Sequence, residues 1–187
     1  MGKPTYPPGQ RYRDAVNLLK KYNLLEGSPR ILHVAPSIYV QEHIKKHTDV
    51  SYIAIDLNDS KAGTGYTGTL DVCGDITKLD EIFKEGEFDG IVCSHVLEHI
   101  EDDHRAIAQL SWVLKPSGWA IIQVPQVPAP WKTYEDLSIT SPEERKKRFG
   151  QWNHVRKYGC DFTDRLKPYF SIEEKTWYLC RKIMDTK

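Results

Sequence analysis

The sequence contains no apolar run of membrane-spanning length, no Cys-x-x-Cys pair and no excess of either charge. A spanning helix needs about 20 consecutive apolar residues, so none is expected and no membrane partner is either. Lys plus Arg equals Asp plus Glu at 26 each, which leaves no overall field to draw the chain to a polyanion and makes nucleic acid an unlikely partner. The four cysteines, Cys73, Cys93, Cys160 and Cys180, lie far apart, and Cys73 and Cys93 sit in apolar runs. Buried, reduced thiols are expected rather than a disulfide framework. The opening Met1 to Gly9 lacks the apolar stretch of a secretory leader, and a cytoplasmic location follows as the expectation.

What is present has the rhythm of alternating helices and strands across a single domain of 187 residues. After the Pro/Gly-rich start, Ala15, Leu18, Leu19 and Tyr22 recur at helical spacing within an N-terminal segment over 1–29. Residues 30–125 read as the core. Arg30 to Pro36 is a short apolar strand closed by proline, Ser37 to His47 is a helix capped by Ser37, and Ser51 to Asp56 is a second strand ending in an acid. A short strand at Asp71 to Cys73, a helix over Leu79 to Phe83 and a strand over Phe88 to Cys93 follow. A helix from Asp102 then carries Ala106, Ile107, Leu110, Val113 and Leu114 on one stripe. Lys115 to Gly118 stops it before a fifth strand, Trp119 to Pro125. The expected fold is α/β, a doubly wound, mostly parallel sheet of six to seven strands. Residues 126–160 break the rhythm and predict a lid-like insertion over the carboxyl edge of the sheet, with a capping box at Ser141-Pro142-Glu143-Glu144. Residues 161–187 predict a helix and, in a shortened C-terminal strand region, a strand over Thr176 to Ile183.

The string Phe88-Asp89-Gly90-Ile91-Val92-Cys93-Ser94-His95-Val96-Leu97-Glu98-His99-Ile100, continued by Val113-Leu114-Lys115-Pro116-Ser117-Gly118, resembles the motif after the fourth strand of class I methyltransferases of type 11. The resemblance runs from about Arg30 to Pro125 and implies a Rossmann-like fold and S-adenosylmethionine as methyl donor. Asp56 at the end of the second strand is placed to accept bonds from ribose hydroxyls, with Leu57 beside it. The resemblance puts Asp75 and Ile76 against adenine, and His33, Ala35, Pro36, Ser37, Ser94 and His95 around the remainder of the cofactor. An N-cap is the plainer alternative for Asp75. The family's glycine loop is replaced here by His33, Ala35, Pro36 and Ser37. The Leu32-His33-Val34-Ala35-Pro36 string, with Thr133 to Asp136, Ser141 to Arg145, Phe149 to Gln151, His154 to Arg156 and Tyr158-Gly159, is similar to a bacterial branch of these enzymes. The Gly63-Thr64-Gly65-Tyr66-Thr67-Gly68 segment matches G-x-G-x-x-G only formally, since it follows the second strand and leads into another.

His95, Glu98 and His99 are spaced i, i+3, i+4, which predicts one face of the first turn after the fourth strand. Ubiquinone-pathway and small-RNA methyltransferases are similar here and hold a divalent metal, which implies a possible metal at His95, Glu98, His99 and His154. Zinc, iron or manganese suits such ligands better than magnesium. Glu98 and His99 holding the helix start is the alternative. In the insertion, His154 and Tyr134 are candidate bases and Arg156 a candidate anchor for an anionic acceptor, unless it pairs with Glu135 or Asp136. The expected acceptor is small or glycan-like, methylated on oxygen or nitrogen. A cofactor-binding protein with lost or changed activity is the rival, motivated by the altered first loop.

Overall fold

The computed structural model describes residues 10–57, 68–174 and 178–183. In chain order these form α1 (Gln10–Lys21), β1 (Arg30–Val34), α2 (Ile38–Lys45), β2 (Ser51–Asp56) and β3 (Val72–Cys73). A 3-10 helix (Ile76–Glu81), β4 (Phe88–Ser94), a 3-10 turn (Leu97–His99), α3 (Asp103–Val113) and β5 (Leu114–Gln123) follow. The insertion contributes β6 (Tyr134–Glu135), α4 (Pro142–Phe149) and β7 (Arg156–Lys157), and the chain closes with α5 (Phe162–Leu166), β8 (Phe170–Glu174) and β9 (Leu179–Lys182).

Seven strands form one sheet in the order β3-β2-β1-β4-β5-β9-β8. β1 to β5 pair in parallel, whereas β9 runs antiparallel to both β5 and β8. The alternation of side chains in a strand divides the apolar residues between two faces. Leu32, Val34, Ile55, Ile91, Cys93 and Ile122 face the layer of α3 and α5, while Ile31, Val92, Trp119, Ile121 and Leu179 face α1 and α2. Both faces are covered, which is why the central strands are apolar throughout rather than alternating with polar residues.

Capping follows the sequence closely. Ser37 accepts from the Val40 amide to start α2, and Asp102 and Ser141 do the same for Arg105 in α3 and Glu144 in α4. The buried face of α2 is Val40, Gln41 and Ile44, while His47, beyond its last turn, is exposed. The Gln41 amide donates to the Thr69 carbonyl and accepts from the Thr69 amide, binding that segment to α2. Gly68 fits there because a Cβ would stand 2.7 Å from the Pro36 carbonyl oxygen. This glycine serves a close backbone approach, and the remainder of the formal glycine motif lies outside the described residues.

At the start of β5, Leu114 pairs with Phe88 and Trp119 with Gly90, so Lys115 to Gly118 loop out, with Ser117 at φ +61. The terminal hairpin is complete but short. β8 had no counterpart in the sequence expectation; Phe170 anchors it in the main core. The last strand begins at Leu179, and Thr176 and Trp177 lie outside the described residues. All four cysteines are free thiols; Cys93 and Cys180 are buried, whereas Cys73 and Cys160 are exposed, Cys73 because β3 is an edge strand.

Candidate active site

The strand order reverses between β1 and β4, and a doubly wound sheet opens a crevice at the carboxyl ends of the two strands flanking such a reversal. Val34 and Cys93 are paired there, and just beyond them Ala35 (φ +47) and His95 (φ +57) both adopt left-handed backbone conformations. Such conformations cost a non-glycine residue about 1–2 kcal/mol and collect at functional sites. Ala35 thus takes a conformation more usual for glycine, and its amide donates to the Ile55 carbonyl. Pro36 and Ser37 are buried beside it, with Ser37 committed to capping α2.

Asp56 ends β2 at the same edge, half-buried. Burial pushes its carboxyl pKa up, partly opposed by the Leu57 amide and the His99 imidazole. Leu57 itself is exposed. Asp75 accepts from the Thr77 amide and hydroxyl through one oxygen and caps the 3-10 helix, while Ile76 is buried in the main core. His33 does not face the crevice. It lies on the α1/α2 side at 1% exposure, with Nδ1 2.9 Å from the Tyr52 hydroxyl, and burial lowers its pKa to about 3. Its predicted place at the cofactor is therefore corrected: the alternation of β1 turns it away.

The residues after β4 form their own unit. Rather than opening a continuous helix, Leu97 to His99 make a single 3-10 turn, Ile100 is extended and α3 begins at Asp103. Glu98 is 1% exposed; burial raises its carboxyl pKa, but His95 and His99 outweigh this and hold it below the usual range. Nδ1 of His95 lies 3.4 Å from Glu98 Oε1, whereas Glu98 Oε2 has no hydrogen-bond partner among the described residues. Donor atoms of Glu98, His99 and His154 lie within 4.8 Å of one another. The four predicted ligands thus reduce to three, because His95 stands behind Glu98 rather than in the group.

His154 arrives from the insertion. Its ring meets that of His99 edge to face with centroids 4.7 Å apart, and His99 Nδ1 lies 3.3 Å from the Asn153 carbonyl oxygen. Burial brings the His154 pKa down to about 4, the Glu98 carboxylate partly opposing it, so the ring is neutral near pH 7. Tyr134 is exposed on β6, its ring against Phe149 rather than in this group. Arg156 cannot serve as an open anion anchor: it is 1% exposed and bonded to Glu135 and to backbone carbonyls.

Two site residues went unread in the sequence. Gln123 ends β5, accepts from the Ser94 hydroxyl at 2.7 Å, and leaves its buried amide nitrogen without a partner among the described residues. Asn153 Oδ1 is buried in the same condition. A glutamine closing an apolar strand was the available signal for the first; the second had none.

Residues 35–122 match the family model described as a methyltransferase domain. A comparison with curated proteins finds no match. Among solved structures, the chain is similar to a SAM-dependent methyltransferase from Archaeoglobus fulgidus, with 15% identity, TM-score 0.59 and coverage of 90% of this chain and 76% of that one. It is similar to the 1,6-didemethyltoxoflavin-N1-methyltransferase of Burkholderia thailandensis, solved with 1,6-didemethyltoxoflavin and S-adenosylhomocysteine, at 14% identity and TM-score 0.58 over 98% and 94% of the two chains. The [4+2]-cyclase SpnF shares the fold at 18% identity and TM-score 0.60, over 92% of this chain and 62% of its own. Residues 35–122 thus carry a methyltransferase domain of type 11, the family whose methyl donor is S-adenosylmethionine.

Proposed function

We propose that the chain methylates an oxygen or nitrogen of a small-molecule or glycan-like acceptor bound beneath the 126–160 insertion, with His154 as general base. The observation that carries this reading is a neutral, desolvated imidazole brought by the insertion to the same crevice edge as Asp56 and Ala35. S-adenosylmethionine, when bound, supplies a methyl group already activated on a sulfonium, so transfer needs in-line placement and removal of one acceptor proton. Asp56 holds the ribose hydroxyls, and the left-handed turn at Ala35 clears backbone space beside them. His154, neutral near pH 7, takes the proton through a ring nitrogen. Glu98, anionic and buried, favours the imidazolium that results. The aromatic side chains exposed on the insertion, Trp131 and Trp152, suit stacking on an acceptor ring.

The test is transfer of labelled methyl to a panel of hydroxyl, amine and sugar acceptors. His154→Ala should lower turnover by about 10²-fold or more. Undiminished turnover in that variant on the true acceptor overturns the role of the base.

A second reading has a specific observation behind it. The Glu98, His99 and His154 donors converge, and the buried Glu98 Oε2 lacks a hydrogen bond, as a ligand atom does. Two imidazoles and a carboxylate fit zinc, iron or manganese, and such an ion would polarise the acceptor oxygen. The two readings use His154 differently, and calorimetric titration with Zn²⁺ and Mn²⁺ separates them. Binding lost in both His99→Ala and His154→Ala favours the metal; no binding to the wild type removes it.

A further inference from the structure

We propose that Arg156 is a positioning residue: its buried guanidinium clamps the Glu98–His99 turn to the segment carrying His154 and so sets the geometry of the reacting groups. The inference rests on those groups being the reacting end of the crevice. Its basis is an accounting of backbone carbonyls. The Leu97 carbonyl accepts from the Ile100 amide and the Tyr158 hydroxyl, but because the chain breaks at Ile100 before α3 starts, the carbonyls of Glu98, Ile100 and Glu101 have no helical partner among the described residues. Their partners all come from the strand that leaves the insertion. The Val155 amide donates to Glu98 at 3.0 Å, and Arg156 donates to Leu97 (2.9 Å), to Ile100 and to Glu101 (2.8 Å). One side chain thus satisfies two of the three carbonyls at the break, and its neighbour's amide the third. Two residues upstream of Arg156 is His154, and the Asn153 carbonyl meets His99.

The same guanidinium reaches the other strand of the insertion. Its Nε donates to Glu135 at 2.9 Å and lies 3.7 Å from Asp103, which with Glu135 neutralises a charge that burial otherwise makes costly. Asp103 is itself held by the Tyr158 hydroxyl and by Arg165. One planar, five-donor group therefore ties the Glu98–His99 turn, the entry strand of the insertion and its exit strand together. A lysine ammonium retains the charge but not the fork.

The experiment is histidine ring nitrogen NMR on the full-length protein near neutral pH, where hydrogen bonding fixes each tautomer. The wild type should show restrained, tautomer-resolved signals for His99, which meets the Asn153 carbonyl, and for His154, packed edge to face against it. In Arg156→Gln the His99 and His154 signals should shift to the averaged pattern of unrestrained imidazole. His33, on the opposite face of the sheet, should keep its pattern and so certify the fold. S-adenosylhomocysteine affinity should stay within about threefold, since Asp56 is untouched. Unmoved His99 and His154 signals in a folded variant, with only the melting temperature lowered, overturn the proposal. Should Arg156→Gln lose the His33 signature, Arg156→Lys is read by the same criterion. Turnover of wild type against His154→Ala tests the base separately, so either idea can fail with the other standing.

Discussion

His99 and His154 meet edge to face at 4.7 Å, one from a turn after the fourth strand and the other from the insertion after the fifth. That contact joins the part of the chain matched by the family model with the insertion that follows it. The matched domain over residues 35–122 supplies β2 to β4, nearly all of β5, Asp56 and Glu98; the insertion supplies the second imidazole and the clamp that holds it. On the proposed function, acceptor choice resides in the insertion and donor binding at the sheet edge.

Asp56 carries the first prediction. Asp56→Asn removes a charged acceptor from the ribose position while preserving size, and a hydrogen bond to a charged group is worth about 1.5–3 kcal/mol. S-adenosylhomocysteine binding, measured by calorimetry, should weaken by about 10–100-fold with no change in melting temperature beyond a few degrees. Because burial raises the Asp56 carboxyl pKa, binding to the wild type should also weaken as the pH falls toward that raised value. Affinity unchanged in the variant removes Asp56 from the donor site.

The turn at Ala35 carries the second. Its φ of +47 is tolerated by glycine and forbidding to a β-branched side chain. Ala35→Gly should leave the unfolding free energy within about 1 kcal/mol, because relief of strain offsets the freedom gained by the unfolded chain. Ala35→Val should cost more than about 2 kcal/mol and abolish cofactor binding. Chemical denaturation and calorimetry on the pair decide it; equal behaviour of the two variants contradicts the left-handed turn.

Much of the sheet was legible because its strands are short apolar runs bounded by Pro, Gly and acids, and because α3 has a regular stripe. Asp56 was legible for the same reason, as the acid that closes a strand. The helix break at Ile100 was not, since the i, i+3, i+4 spacing of His95, Glu98 and His99 fits a helix, and the partner that opens it, Arg156, lies far away in sequence. Nor was the orientation of His33. A five-residue strand buried on both faces carries no polarity alternation to say which face a histidine takes. The charge of Arg156 suggested a ligand when its geometry is that of a buried brace.

Gly159 gives a prediction for the insertion. A Cβ there would stand 2.2 Å from the Lys132 carbonyl carbon and 2.3 Å from the Trp131 carbonyl oxygen, both backbone atoms that cannot yield as a side chain can. Gly159→Ala must therefore displace the 131–133 segment, which Thr133 otherwise fixes through Asp161 and the Gly159 amide. The expected result is a loss of about 1–3 kcal/mol and faster hydrogen exchange over 131–135, with donor affinity retained. Weakened donor binding with unchanged exchange in the insertion contradicts the division between sheet edge and insertion.

The buried His33 predicts how the fold responds to acid. Its pKa is about 3 in the folded chain and near 6.5 once unfolded, so between those values the unfolded state binds a proton that the native state excludes. Stability then rises with pH across that window and is lost as the pH falls from about 6.5 toward 3. At pH 5 the unfolded ring lies about 1.5 units below its pKa, which corresponds to a loss of about 2 kcal/mol relative to neutral pH. His154, lowered to about 4, acts in the same direction. Replacing His33 by Gln removes its titration while retaining a polar group toward Tyr52. The variant should be less stable than the wild type at pH 7, yet its urea midpoint should fall less steeply between pH 6.5 and 4.5. Parallel midpoint curves for the two proteins would place the acid-sensitive group elsewhere and contradict the burial of a neutral His33 beneath α2.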